Sequence, residues 1–243
     1  MSQAAEEHRE ESQAEAVRQK ILDRIRDGAA GGTRRLPGER QLCAELQTNR
    51  NTLRDALSQL EAEGLVYRED RRGWFVSPER LVYNPLKRGD FERMAIEQGR
   101  RPRTVLLDSC LALAPARICA MAGFAPATPL YRVRRIRQLD DRPVLYVEHY
   151  LMPELFPGLL AHDLTVSLTQ IAREHYGLTR ERVVFNMTPT ALLGDAASRL
   201  HVTNGSPALH IARVNYDQQD RPMDCDLEFW RQDAVMVAVD ASG

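Results

Sequence analysis

The stretch from Asn49 to Gly64 constrains this chain more than any other. Leu53, Ala56, Leu57 and Leu60 fall at i, i+3, i+4 and i+7, one buried stripe of an α-helix. Asn49 is placed to cap that helix and Gly64 to end it. Arg50, Arg54 and Ser58 lie on another side, with Asn51 nearby. Such a helix is anchored by its inner face, and its outer face offers guanidinium forks to guanine edges and phosphates. On a merely solvated face the same arginines would pair with Asp55 or neighbouring glutamates, so the surrounding sequence has to decide.

Upstream, Val17, Ile21 and Ile25 recur at four-residue spacing and predict a helix from Glu15 to Asp27, stopped by Gly28. Gly28 to Gly32 reads as a flexible turn. Leu36-Pro37-Gly38-Glu39-Arg40 then starts a second helix with Leu42, Cys43 and Leu46 inward. Downstream, Leu65 to Arg68 and Trp74 to Ser77 read as short strands around the charged tip Glu69-Asp70-Arg71-Arg72-Gly73, a hairpin wing. Residues 15–78 therefore read as a winged helix-turn-helix. Residues 1–14 carry Glu6, Glu7, Glu10 and Glu11 and no apolar block, which predicts a disordered leader rather than a signal peptide. The net charge of −1 argues against a nucleic-acid binder, but the arginines cluster between Arg34 and Arg72, and local clustering governs phosphate binding.

Residues 79–103 hold Pro85, Gly89, Gly99 and Pro102 around a short helix, Asp90 to Glu97, and read as a linker. From Thr104 to residue 243 strands alternate with helices. Strands are expected at Val105–Leu111, Leu130–Leu139, Val144–Met152, Arg182–Leu192, Ala208–Asp217, Met223–Arg231 and Ala234–Val239. Helices are expected at Ala114–Met121, Ser167–Tyr176 and Asp195–Leu200. The fold class is α+β with an antiparallel sheet. An internal echo supports it: Pro129 and Arg135 recur 78 positions on as Pro207 and Arg213, and Asp141-Arg142-Pro143 recurs as Asp220-Arg221-Pro222. Two such halves can join their sheets into one layer and leave a pocket where they meet.

Arg135 and Arg137, two apart on a strand, project from one face. Ser167 opens a helix whose free N–H groups favour an anion. Together they suit a phosphate or carboxylate. The alternative is that Glu148 or other carboxylates across the sheet satisfy both arginines, that Ser167 is an ordinary cap, and that Trp230 is core. Chemistry of other kinds finds little support. The histidines show no metal spacing, there is no phosphate-cradling glycine loop or nucleophile elbow, and His149 beside Glu148 is an isolated strand histidine. The four cysteines have neither metal nor disulfide spacing, which suits a reducing cytoplasm, and no apolar run is long enough for a membrane span.

The blocks Leu36-Pro37-Gly38-Glu39-Arg40-Gln41-Leu42, Asn49 to Leu57, Leu60 to Val66 and Arg72-Gly73-Trp74-Phe75-Val76, in that order, resemble the winged helix of the GntR family. The resemblance implies DNA contacts at Arg40, Arg50, Thr52, Arg54 and the wing residues Arg71, Arg72 and Gly73, with Asn51 beside them. Arg135-Ile136-Arg137, Pro143, Glu148, Leu155 to Leu159, Ser167-Leu168, Tyr176-Gly177, Arg221-Pro222, Arg231 and Asp233 resemble the UTRA effector domain of the HutC subfamily, whose fold is like chorismate lyase. That resemblance implies effector contacts at Arg135, Arg137, Glu148, Ser167, Asp224 and Trp230. Thr169 stands where sugar-phosphate sensors of the subfamily have an aromatic residue, and Asp224 where they have glutamate. These departures weigh against an amino-sugar phosphate and leave a phosphonate, another sugar phosphate or a carboxylate as effector. The implied protein is a cytoplasmic, cofactor-free repressor, switched by a small anion. One winged helix reads few base pairs, so a homodimer on an inverted repeat of double-stranded operator DNA is expected. The competing readings are a chorismate-lyase-like enzyme and a ligand-binding module with no role on DNA.

Overall fold

The computed structural model describes residues 3–28, 34–69, 72–87 and 90–240, with the backbone alone at 3–12 and 28. The chain divides into two compact units, meeting in sequence at Arg80 and Leu81. Among the described residues no helix is long and apolar enough to cross a membrane.

In the first unit, α1 (Gln3–Gly28), α2 (Glu39–Leu46) and α3 (Arg50–Ala62) precede a hairpin of β1 (Val66–Glu69) and β2 (Gly73–Val76). The predicted stripe of α3 is buried in full and packs on Val17 and Ile21 of α1, Leu42 of α2, and Val66 and Trp74. Asn49 caps α3 by accepting the Thr52 amide at 2.9 Å. Two expectations change. Helix α1 takes in residues 3–14, which were expected to be a disordered leader. The second helix starts at Glu39 rather than Leu36, because the preceding segment joins the wing: Leu36 N–H donates to Trp74 O at 2.9 Å and Val76 N–H to Arg34 O at 2.7 Å. Most of the Gly28–Gly32 turn lies outside the described residues.

In the second unit, β3 (Leu81–Tyr83) and α4 (Phe91–Glu97) come first, then β4 (Pro102–Leu113), α5 (Ala116–Ala122), and the hairpin β5 (Pro129–Leu139) and β6 (Arg142–Leu151). After them come α6 (Leu168–Tyr176), β7 (Arg182–Leu192), α7 (Gly194–Arg199), the hairpin β8 (Ser206–Tyr216) and β9 (Pro222–Arg231), and β10 (Val235–Val237). The sheet order is β4-β5-β6-β9-β8-β7, antiparallel throughout. The internal echo is therefore real in three dimensions. Each half is strand, helix, hairpin, and the halves meet at β6 and β9 in one layer. The β5–β6 turn uses Asp140 and Asp141, both at positive φ (51° and 65°), the backbone of a tight two-residue hairpin.

The stretch 79–103 is not a linker. Strand β3 pairs in parallel with β10, and α4 is capped by Asp90. Gln98 fastens the two, accepting from Val82 N–H at 2.8 Å and donating to Val82 O at 2.9 Å. Leu81, Phe91 and Ala95 are core residues, packed with Trp230 and Val235. Helices α5 and α7 cover one face of the sheet, through clusters around Ile118 and Leu200. The other face meets α4, β3 and β10 at one end, and α6 with Phe156 at the other.

Candidate functional site

On that second face lies a cavity of about 760 Å³ at the seam between the halves. Strand alternation decides what enters it. Arg135 and Arg137 of β5, Leu145, Val147 and His149 of β6, Asp224, Asp226, Glu228 and Trp230 of β9, and Arg213 and Asn215 of β8 line it together. Ser167 and Thr169 line it from the start of α6, and Asp90 and Phe91 from the start of α4.

Arg135, 1% exposed, donates from Nη1 to the carbonyls of Leu164 (3.2 Å) and Val166 (2.9 Å), just ahead of α6. Its Nη2 donates to His149 Nε2 at 2.6 Å. A guanidinium can only donate, so His149 accepts there and carries its proton on Nδ1, which donates to Asp226. Burial, then the charge of Arg135, pushes the imidazole down to about 4 despite Asp226. His149 is therefore neutral at physiological pH. Asp226 also meets Arg213 at 2.7 Å, and Arg213 bonds Glu228, which accepts the Trp230 indole N–H at 2.7 Å.

The three arginines are not equivalent. Arg213 has two carboxylates, and although burial opposes it, Glu228 and Asp226 raise its pKa. Arg137 donates to the Thr104 hydroxyl and lies 5.2 Å over the Phe91 ring, with no carboxylate bonded to it among the described residues. Burial lowers it to about 10 against the pull of Glu228 and Asp90. Arg135 is lowered well below its ordinary value, by burial and then by Arg137, and its buried Nε has no partner among the described residues. Two buried cations side by side without bonded carboxylates are costly unless an anion answers them.

Facing them is an acceptor-rich wall. Asn215 donates to both Asp224 and Asp226, and its own buried carbonyl oxygen is unpartnered among the described residues. Burial, then the charge of Asp226, pushes the Asp224 carboxyl up to about 7.

Six of the seven residues expected around an effector thus line one cavity. Glu148 does not. It is cross-strand from Arg134, on the opposite face, where it accepts from Tyr146 (3.1 Å) and Tyr150 (2.8 Å). Parity was the available signal: Arg135 sits opposite Val147, so odd positions of β6 share its face. His149, Arg213, Asn215, Asp226 and Glu228 were missed, although Arg213 is the internal echo of Arg135 and Asp226 and Glu228 share the parity of Asp224. Ser167 caps α6, accepting from Gln170 N–H at 3.3 Å, and also bonds Asp90. Trp230 serves as both core residue and cavity wall.

On the first unit, Arg40, Arg50, Asn51 and Arg54 are exposed. Thr52 is not: it is 7% exposed and shares the inner face with Ala56, one turn on. In the wing, Arg72 bonds Glu69 and lies 5.5 Å over Phe75, and Gly73 takes φ +98°. Arg71 lies outside the described residues. Glu39, which the sequence marked only as part of the start of the second helix and of the family block, accepts from Arg54 Nε at 3.1 Å, Arg50 Nε at 3.4 Å and Trp74 Nε1 at 3.4 Å.

Residues 97–236 match the family model for the UTRA domain, and residues 13–76 match the model for bacterial regulatory proteins of the gntR family. The chain is 33% identical over 232 residues to the HTH-type transcriptional regulator YihL of Escherichia coli (strain K12), covering 94% of this chain and 98% of the relative. It is 24% identical over 230 residues to a probable fructoselysine utilization operon transcriptional repressor of the same organism, covering 92% of each. Its fold is similar to the crystal structure of PhnF from Mycobacterium smegmatis, with a TM-score of 0.64 at 23% identity, over 93% of this chain and 99% of that one.

Proposed function

The chain belongs to the GntR family of bacterial regulatory proteins and carries a UTRA domain, and from that premise we propose a repressor whose grip on operator DNA is switched by a small anionic effector in the seam cavity. Membership in a family of transcription regulators sets aside the enzyme reading and the module without a role on DNA. The fructoselysine relative, named as a repressor, supports repression as the sense of regulation.

The observation that carries the effector class is the pair Arg135 and Arg137, buried beside the α6 cap with no carboxylate bonded to either among the described residues. A phosphonate, sugar phosphate or carboxylate supplies the missing charge. Asp224 and the Asn215 carbonyl, as acceptors, face donor groups on the rest of the ligand. Arg40, Arg50, Asn51 and Arg54 read or hold DNA, with Arg72 and Gly73 touching it from the wing. Two copies of the chain on an inverted repeat place two such surfaces on one operator. The cavity-lining Val82, Tyr83 and Asn84 follow Arg80 and Leu81 in the chain, so a ligand that orders them acts on the segment leading from the DNA-reading unit.

A thermal-shift panel of phosphates, phosphonates and carboxylates tests the effector class. Binding to the native state raises the midpoint, by about 2.7 kcal/mol of stability at a hundredfold excess over Kd. Anions should raise it in the wild type and not in Arg137→Met. Equal shifts in both proteins, or shifts from neutral compounds alone, contradict the anion reading.

A further inference from the structure

We propose that Glu39 is a positioning residue for sequence discrimination, holding Arg50 and Arg54 by their Nε–H groups so that their terminal nitrogens are presented as oriented forks. The proposal rests on α3 being the DNA-reading helix. Three elements converge on one carboxylate. Glu39 is the first residue of α2, Arg50 and Arg54 come from the outer side of α3, and Trp74 comes from β2. One oxygen accepts the indole N–H, and the other accepts both arginine Nε–H groups. The Glu39 side chain is 16% exposed, while those of Arg50 and Arg54 are 69% and 50% exposed.

The geometry matters because of how a guanidinium is built. Its donor edges are fixed in one plane, and the guanine O6/N7 edge is met best by two of those donors at once. Anchoring at Nε leaves the four N–H groups of the terminal nitrogens for DNA and removes most of the side chain's rotation. The two arginines also sit one helical turn apart, where like charges repel, and a shared carboxylate offsets that repulsion. Orientation before contact lowers the ordering cost of the specific complex. The same negative charge, close to the DNA surface, disfavours every duplex alike. Glu39 therefore trades general affinity for discrimination. Burial raises its carboxyl, but Trp74, Arg54 and Arg50 together hold it below its ordinary value, so the charge is present at neutral pH.

The test uses the full chain and selection from random double-stranded DNA, followed by titration of the selected duplex and of a random one. Arg50→Ala and Arg54→Ala identify the base columns that depend on each arginine. Glu39→Gln, which retains an oxygen for the indole, should weaken those same columns and lower the specific-to-random affinity ratio roughly 5- to 30-fold. Its affinity for random duplex should hold or rise, and its thermal melt should match the wild type. In an Arg50→Ala, Arg54→Ala background Glu39→Gln should cost no further discrimination, since nothing remains to position. An unchanged ratio overturns the proposal, as does equal loss on both duplexes or loss at a column neither arginine controls, which would make Glu39 a direct base contact. Intact columns in both arginine variants overturn the reading of α3 and the proposal with it.

Discussion

His149 shows how much a single residue's environment decides. In sequence it is an isolated strand histidine; in the fold it is a neutral link between Arg135 and Asp226. Its folded-state pKa, about 4, lies below the ordinary 6.5. As pH falls between those values the unfolded chain takes up a proton that the folded chain refuses, so stability is lost on acidification, by about 3 kcal/mol at the lower end. Asp224, raised to about 7, works in the opposite direction over much of that window and is common to wild type and variant. Urea unfolding of wild type and His149→Gln at pH 7 and pH 4.5 should therefore show the variant gaining relative stability at the lower pH. A constant difference would mean that the histidine takes up its proton as readily in the fold as in the unfolded chain. The same residue scale explains why Glu148 misled. The resemblance implied an effector contact there, and the pairing of Arg134 with Glu148 puts it on the other face of the sheet.

Elements were legible where their partners are near in sequence. The stripe and cap of α3, the β5–β6 hairpin and the Ser167 start of α6 follow from periodicity and local capping. Strand β3 was not legible, because three residues carry no period and its partner β10 lies at the far end of the chain. The wing is the element with the plainest consequence for DNA. Arg72 extends from β2's approach beside Gly73, bonded to Glu69 within the hairpin. That placement suits a phosphate more than a base edge. Arg72→Ala should weaken binding to all duplexes alike and flatten the salt dependence by about one unit of slope. Loss confined to one sequence, with the slope intact, would assign base reading to the wing.

At the scale of the molecule, a duplicated strand–helix–hairpin unit builds one sheet, and the unique residues at its seam make the cavity. The echo of Arg135 in Arg213 was visible in sequence, but the asymmetry was not. Arg213 meets Asp226 and Glu228, whereas its counterpart meets carbonyls and a neutral imidazole. On the proposed function, an anion completing that half can change DNA affinity only by binding two states of the protein unequally. A coupling of about 1–3 kcal/mol would alter affinity some 5- to 150-fold. Arg137 is the clean probe, because Arg135 also secures the carbonyls ahead of α6. The direct measurement is a titration of operator duplex by wild type and Arg137→Met, each with and without the anion that raises the wild-type midpoint. The account predicts that the anion weakens wild-type binding by a factor in that range, while Arg137→Met binds operator as the anion-free wild type does and ignores the anion. A variant that still responds in full, or that has lost operator binding before any anion is added, would contradict it.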